Sequence, residues 1–179
     1  VNFSLPDSVT VSGVPFSVRT DFRVILEIFV MLDDPDLTDA DKTEALLRMF
    51  YVNQPPDAEE AIQAFTDFVD PRHGSQGKKS SGRLIDWTQD FDLMVAPINH
   101  ILGFECRAAE YLHWRTFLSA YLEIPPESVF ARVLRIREKL RTGKKLEKNE
   151  RSWYHKNRDL VHLKPKFSKS EEDILSEWT

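Results

Sequence analysis

Residues 108–122 read Ala-Ala-Glu-Tyr-Leu-His-Trp-Arg-Thr-Phe-Leu-Ser-Ala-Tyr-Leu, and no other stretch constrains the fold as much. Tyr111, Leu112, Trp114, Phe117, Leu118, Tyr121 and Leu122 recur at offsets of three, four and seven, the helical period. A helix wet on one side needs an apolar stripe only toward the core. This stretch is apolar over most of its circumference. The pattern predicts a central helix with neighbours on most sides, burying Trp114, Phe117 and Leu118.

The other elements are read outward from that helix. Residues 9–18 alternate on either side of Ser12-Gly13, which predicts a short β-hairpin, with Pro15 confining its strand to an edge. Thr20-Asp21 caps a first helix with the stripe Phe22, Ile25, Leu26, Phe29 and Leu32, stopped at Asp33-Asp34-Pro35. A second helix from Leu37-Thr38-Asp39 to about Val52 buries Leu46, Leu47 and Phe50. Asp57 and Glu60 have capping-box spacing for a third, with Ala61, Ile62, Phe65, Phe68 and Val69 inside. A fourth covers about 85–102, with Trp87, Phe91, Met94, Val95, Ile98, Ile101 and Leu102 in register. Pro97 predicts a kink or break there, and Gly103 a left-handed stop.

After the central helix, Pro125-Pro126-Glu127 opens a sixth whose core side is Phe130, Val133, Leu134 and Leu140. A basic seventh runs from about Glu147 to His162, and Ser168 with Glu171 caps a last short helix carrying Ile174, Leu175 and Trp178. The fold class is mainly α: a single helical domain of about seven helices with a short N-terminal β-hairpin. Within it, 1–70 is the hairpin with an acidic helical subdomain and 71–83, rich in Gly, Ser and Lys, a mobile linker loop. Residues 84–166 form the central and basic helical subdomain, and 167–179 a tail helix.

The formal charge of −5 hides an asymmetry. Residues 1–70 hold 14 acidic and 4 basic side chains, whereas 132–166 hold 13 basic and 4 acidic. Opposite halves of this kind attract, within a molecule or between copies, so self-association is one expectation. Two solvated faces of opposite sign are the other. Arg132, Arg135 and Lys139 share one face of the sixth helix, with Arg137 and Arg141 beside them, and are the candidate partner-binding residues. The alternative is that Arg135 or Arg137 pairs internally with Asp86 or Asp90. The candidate structural core is Trp87, Phe91, Trp114, Phe117 and Leu118.

No residue pattern points to catalysis. Asp86 and Asp90 lie one helical turn apart, a spacing typical of solvated or capping carboxylates. The five histidines lack a partner at a recognised metal-ligand spacing, and there is no phosphate-binding glycine loop or nucleophile elbow. Cys106 is the single cysteine, read as a buried inert thiol in a reducing compartment. The expectation is a non-enzymatic protein without cofactor or metal. No apolar run reaches the roughly 18 residues of a membrane span, and Val-Asn-Phe-Ser-Leu-Pro does not read as a signal peptide, so no membrane is expected. The basic third, with Trp153 and Tyr154 among Lys and Arg, is the one nucleic-acid-like signal. An overall pI near 5.6 makes nucleic acid the weaker reading.

Five stretches taken together carry a resemblance: Thr20-Asp21-Phe22-Arg23, Asp39-Ala40-Asp41-Lys42, Asp86-Trp87-Thr88-Gln89-Asp90, Tyr111-Leu112-His113-Trp114-Arg115-Thr116-Phe117 and Arg135-Ile136-Arg137. In this order they resemble the gp-fifteen family of tailed phages and prophages of Gram-positive bacteria, over most of residues 9–163. Two departures are Arg115, where the family has a second aromatic, and Pro97. The resemblance implies a tail-assembly chaperone, encoded beside the tape-measure gene and working in the cytoplasm of the bacterial host. Its implied partners are the tape-measure protein and other tail-assembly proteins. A structural component of the virion tail is the alternative role, and nucleic-acid binding through residues 132–166 a third.

Overall fold

The structure is a computed structural model and describes residues 4–70, 83–168 and 171. Among these the chain is mainly helical, with one two-stranded antiparallel hairpin at its N-terminal end. It divides into two compact units, Val1–Lys78 with Tyr111–Phe117 and Lys166–Thr179, and Lys79–Glu110 with Leu118–Pro165. Residues 111–117 thus belong with the first unit, whereas the sequence reading groups them with 84–166. The predicted linker lies, apart from Arg83, outside the described residues. So does the tail helix beyond Glu171.

The first unit begins with β1 (Ser8–Val11) and β2 (Val14–Ser17), paired from Ser8↔Ser17 to Val11↔Val14. Ser12 and Gly13 have φ of 51° and 76°, the two positive values that a two-residue turn matching strand twist demands. Three helices follow: α1 (Phe22–Leu32), α2 (Asp39–Phe50) and α3 (Ala58–Val69). Asp21 caps α1 by accepting the Arg23 N–H at 2.9 Å. Thr38 and Asp41 form a complete capping box on α2. On α3 only half of the expected box forms. Asp57 accepts the Glu60 N–H, but the Glu60 carboxylate accepts the Ser12 hydroxyl at 2.7 Å and so ties the hairpin turn to the helix.

The core of this unit is aromatic. Phe50 lies 5.0 Å from Phe65 and 5.2 Å from Phe68, centroid to centroid, and Phe22 stacks on Phe117 at 4.6 Å. Such pairs add about 0.5–1.5 kcal/mol beyond area burial. Arg19 closes the end of α2, its Nη1 donating to the carbonyls of Arg48, Met49 and Tyr51.

The second unit contains α4 (Trp87–Leu102), a 3-10 turn (Cys106–Ala108), α6 (Val129–Arg141), α7 (Lys148–Lys156) and α8 (Arg158–Val161). The helix α4 continues through Pro97 without the break the sequence reading allowed, and ends at Gly103 with φ 78°. Its buried residues Met94, Val95 and Ile98 are joined by Phe130, Val133, Ile136 and Val161. Trp87 and Tyr121 (5.8 Å), then Tyr121 and Phe130 (5.9 Å), continue the packing.

Three boundaries depart from the sequence reading. The central helix, α5, is Trp114–Leu122, six residues shorter than 108–122. Its predicted first turns are replaced by the 3-10 turn and an extended segment. Asp21 bridges His113, the Phe22 N–H donates to the Leu112 carbonyl (2.9 Å), and the Trp114 N–H donates to that of Thr20 (2.6 Å). Tyr111 is consequently 57% exposed. The helix α6 starts at Val129 rather than at the prolines, because the Ser128 hydroxyl accepts the Ala131 N–H. The predicted seventh helix breaks at Asn157, whose side-chain amide donates to the Trp153 carbonyl at 2.8 Å, the acceptor that a continuing helix would use for its own N–H.

Candidate functional site

The candidate binding residues all lie on α6, where the structure gives them different environments. Along VFARVLRIREKLR the buried positions are Phe130, Val133, Ile136 and Arg137, at helical offsets. Arg137 is seven residues after Phe130 and four after Val133, so it projects from the apolar stripe and is only 6% exposed. Leu140, expected in the core, is 41% exposed.

Inside, Arg137 meets Asp90, which is fully buried on the α4 stripe that also carries Met94 and Ile98. The contact is bidentate: Nη1 to Oδ2 at 2.6 Å and Nη2 to Oδ1 at 2.9 Å. The remaining guanidinium donors reach the carbonyls of Val161 (Nε, 2.7 Å), Leu84 (Nη1, 2.8 Å) and Leu160 (Nη2, 2.8 Å). All five N–H donors of the side chain are therefore used. Asp90 Oδ2 also accepts the Asp86 N–H at 2.9 Å. Asp86 caps α4 through the Gln89 N–H and pairs with Arg83. Gln89 finishes the clamp, donating to the His162 carbonyl (2.8 Å) and accepting the Lys164 N–H (3.0 Å). Arg137 therefore drops out of the candidate binding face. Its partner is the internal alternative, Asp90.

The other four residues are nearer solvent. Lys139 Nζ contacts both oxygens of Glu150 at 2.7 Å, and Arg135 Nε lies 3.8 Å from the same carboxylate. The Lys139 hydrogen bond, helped by the Glu147 backbone N–H, holds the Glu150 carboxyl below its ordinary range. Arg141 pairs with Glu138 and Arg132 sits over the Trp153 ring at 5.4 Å. Acidic side chains of α6 and α7 thus neutralise much of the expected positive face.

Of the candidate core residues, Trp114 (2% exposed) and Phe117 (0%) are buried, while Trp87, Phe91 and Leu118 are partly buried. The Trp114 indole donates to the Val69 carbonyl at 3.0 Å. His113, 6% exposed, donates from Nε2 to the Pro6 carbonyl (2.9 Å) while Nδ1 accepts the Arg115 N–H (3.0 Å), so both ring nitrogens are engaged. Burial pushes the Cys106 thiol up, away from the reactive thiolate.

Sequence reasoning missed Gln89 as a joining residue. It also placed Arg137 beside the exposed face, although its offsets from Phe130 and Val133 put it on the buried stripe.

Four of the five stretches that carried the resemblance are thus joints, and Asp39-Ala40-Asp41-Lys42 supplies the capping box of α2. Asp86-Trp87-Thr88-Gln89-Asp90 meets Arg137 inside the second unit. Thr20-Asp21-Phe22 meets Tyr111-Leu112-His113-Trp114 inside the first, where the Thr20 and Tyr111 hydroxyls lie 2.5 Å apart. A family model described as "Bacteriophage Gp15 protein" matches residues 1–163. The chain belongs to the bacteriophage Gp15 family. It is accordingly a phage structural or morphogenesis protein. No curated protein and no solved structure matches the chain. Among the described residues, no group of three His, Cys, Asp or Glu is placed to hold a metal ion, and no helix is long and apolar enough to cross a membrane.

Proposed function

We propose that this Gp15-family protein is a tail-assembly chaperone that binds the tape-measure protein in the cytoplasm of the bacterial host, without catalysing a reaction. The family match over residues 1–163 is the observation that carries the reading. Physical support comes from the joints. Many residues of the stretches that carry the resemblance, among them Asp21, Asp90, His113 and Arg137, are spent on internal hydrogen bonds, which suits a protein that works by its surface. A long helical client exposes apolar stripes until the tail tube assembles around it, and a helical protein covers such stripes by groove binding. Contact residues on α6 are Arg132, Arg135 and Arg141 with Lys139 at the edge, and Arg137 is excluded by its burial.

Two measurements test the role. Co-expressed tape-measure protein should co-purify with this chain and precipitate without it. Mass spectrometry of purified virions should find the chain absent or in trace amounts. A stoichiometric amount in the virion would instead make it a structural component of the tail.

A further inference from the structure

We propose that the outward face of α7, with the loop before it, binds the acidic face of α3 on a second copy of this chain. The helical period divides α7 into two sides. Glu150, Trp153 and Tyr154 fall on one side and are partly buried. Lys148, Arg151, Ser152, His155 and Lys156 fall on the other, where every one is exposed and no carboxylate intervenes. Lys144 and Lys145, exposed in the loop after α6, extend this side. These cations differ from those of α6. Arg135 and Lys139 reach Glu150, and Arg141 pairs with Glu138. Lys144, Lys145, Lys148, Arg151 and Lys156 make no ion pair among the described residues. Like charges three apart on a helix, as Lys148 and Arg151 are, repel each other, and an anionic partner relieves that repulsion.

The chain itself holds a surface of the required sign. The helix α3 carries Glu59, Glu60 and Asp67 and no Lys or Arg. Glu59, Gln63 and Asp67 recur at offsets of four, so they form one exposed row. Beside that row lies an open hollow of about 650 Å³, lined among the described residues by Asp57, Glu59, Glu60, Ile62 and Gln63. A Lys or Arg side chain suits such a hollow, with its methylenes on Ile62 and its charge among the carboxylates. Nucleic acid would match the α7 face, but it gives α3 no partner and is opposed by the formal charge of −5. A second copy matches both faces at once. The two surfaces are different, so the contact is heterologous and copies add head to tail. The inference needs no client and stands apart from the chaperone reading.

Sedimentation velocity of the full, nuclease-treated chain tests the contact. At low salt the mean mass should exceed that of one chain and rise with concentration. It should return to one chain near about 1 M salt, where charges are screened beyond roughly 3 Å. Lys148→Glu with Arg151→Glu should abolish association, and so should Glu59→Lys with Asp67→Lys. Mixing these two variants should restore it, because each then offers the face that the other needs. All four positions are exposed, so thermal melts of both variants should stay close to the parent. Lys144→Glu with Lys145→Glu, outside any helix, is a second basic-face variant and should weaken association as well. A chain that stays monomeric at low salt overturns the proposal. So does association that survives either helix-face reversal, or that is seen only before nuclease treatment. A mixture of the two reversed variants that stays monomeric overturns it too.

Discussion

Arg137 and Asp90 form a bidentate pair at 2.6 and 2.9 Å, 6% and 0% exposed, and together they join four separate stretches of the second unit. The guanidinium reaches the segment before α4, the first turn of α4 and the end of α8 at once. Removing one partner leaves the other charged and buried. Asp90→Ala or Arg137→Ala should each cost about 3–5 kcal/mol in urea unfolding. A double replacement by apolar residues of similar volume should cost far less than the two single losses combined. Arg137→Lys should not rescue, because three donors on a point-like ammonium cannot replace five in a fork. Additive losses in the double variant would show that the pair is not energetically coupled.

Phe117 is 0% exposed and stacks on Phe22, so Phe117→Ala should destabilise by about 3–5 kcal/mol. Phe104 is the contrasting aromatic, 46% exposed, and Phe104→Ala should stay within about 0.5 kcal/mol of the parent. Thermal melts of both variants check the difference.

Tyr51 is buried and donates its hydroxyl to the Ala61 carbonyl at 2.8 Å. Burial pushes its pKa up from 10.0 to about 12. A raised folded-state pKa means that the folded protein holds this proton more tightly than the unfolded chain. The stabilisation is therefore complete below pH 10 and falls away as pH rises toward 12. Tyr51→Phe should lose about 1 kcal/mol at neutral pH with the hydrogen bond, yet fall less steeply over that alkaline window. Denaturant unfolding at pH 8, 10 and 11.5 tests the slope.

Lys139 and Glu150 lie 2.7 Å apart with side chains 23% and 14% exposed. Lys139→Glu should cost about 1 kcal/mol or less, and adding Glu150→Lys should recover most of it. Arg132→Glu with Arg135→Glu should keep the melting temperature close to the parent while weakening tape-measure pull-down. A pull-down unchanged by that pair would remove α6 from the binding face and move attention to the acidic helices α2 and α3.

Local rules made much of this fold legible from the sequence. Ser12-Gly13 announced the hairpin, Asp21, Thr38 and Asp57 their caps, and Gly103 the end of α4, because each acts on backbone groups within a few residues. The apolar period placed Leu46, Phe50, Phe65 and Phe68 in the core for the same reason. The recurring motifs also marked the family. Tertiary structure alone decided what those motifs do. Tyr111 to Trp114 continue the helical apolar pattern, yet the backbone of Leu112, His113 and Trp114 pairs with Thr20–Phe22, some ninety positions away, and takes its hydrogen bonds there. Arg137 reads as one cation among many on a basic helix. Its burial was visible in its offsets, but its carbonyl partners at Leu84, Leu160 and Val161 were not, since no periodicity encodes which distant segments will meet.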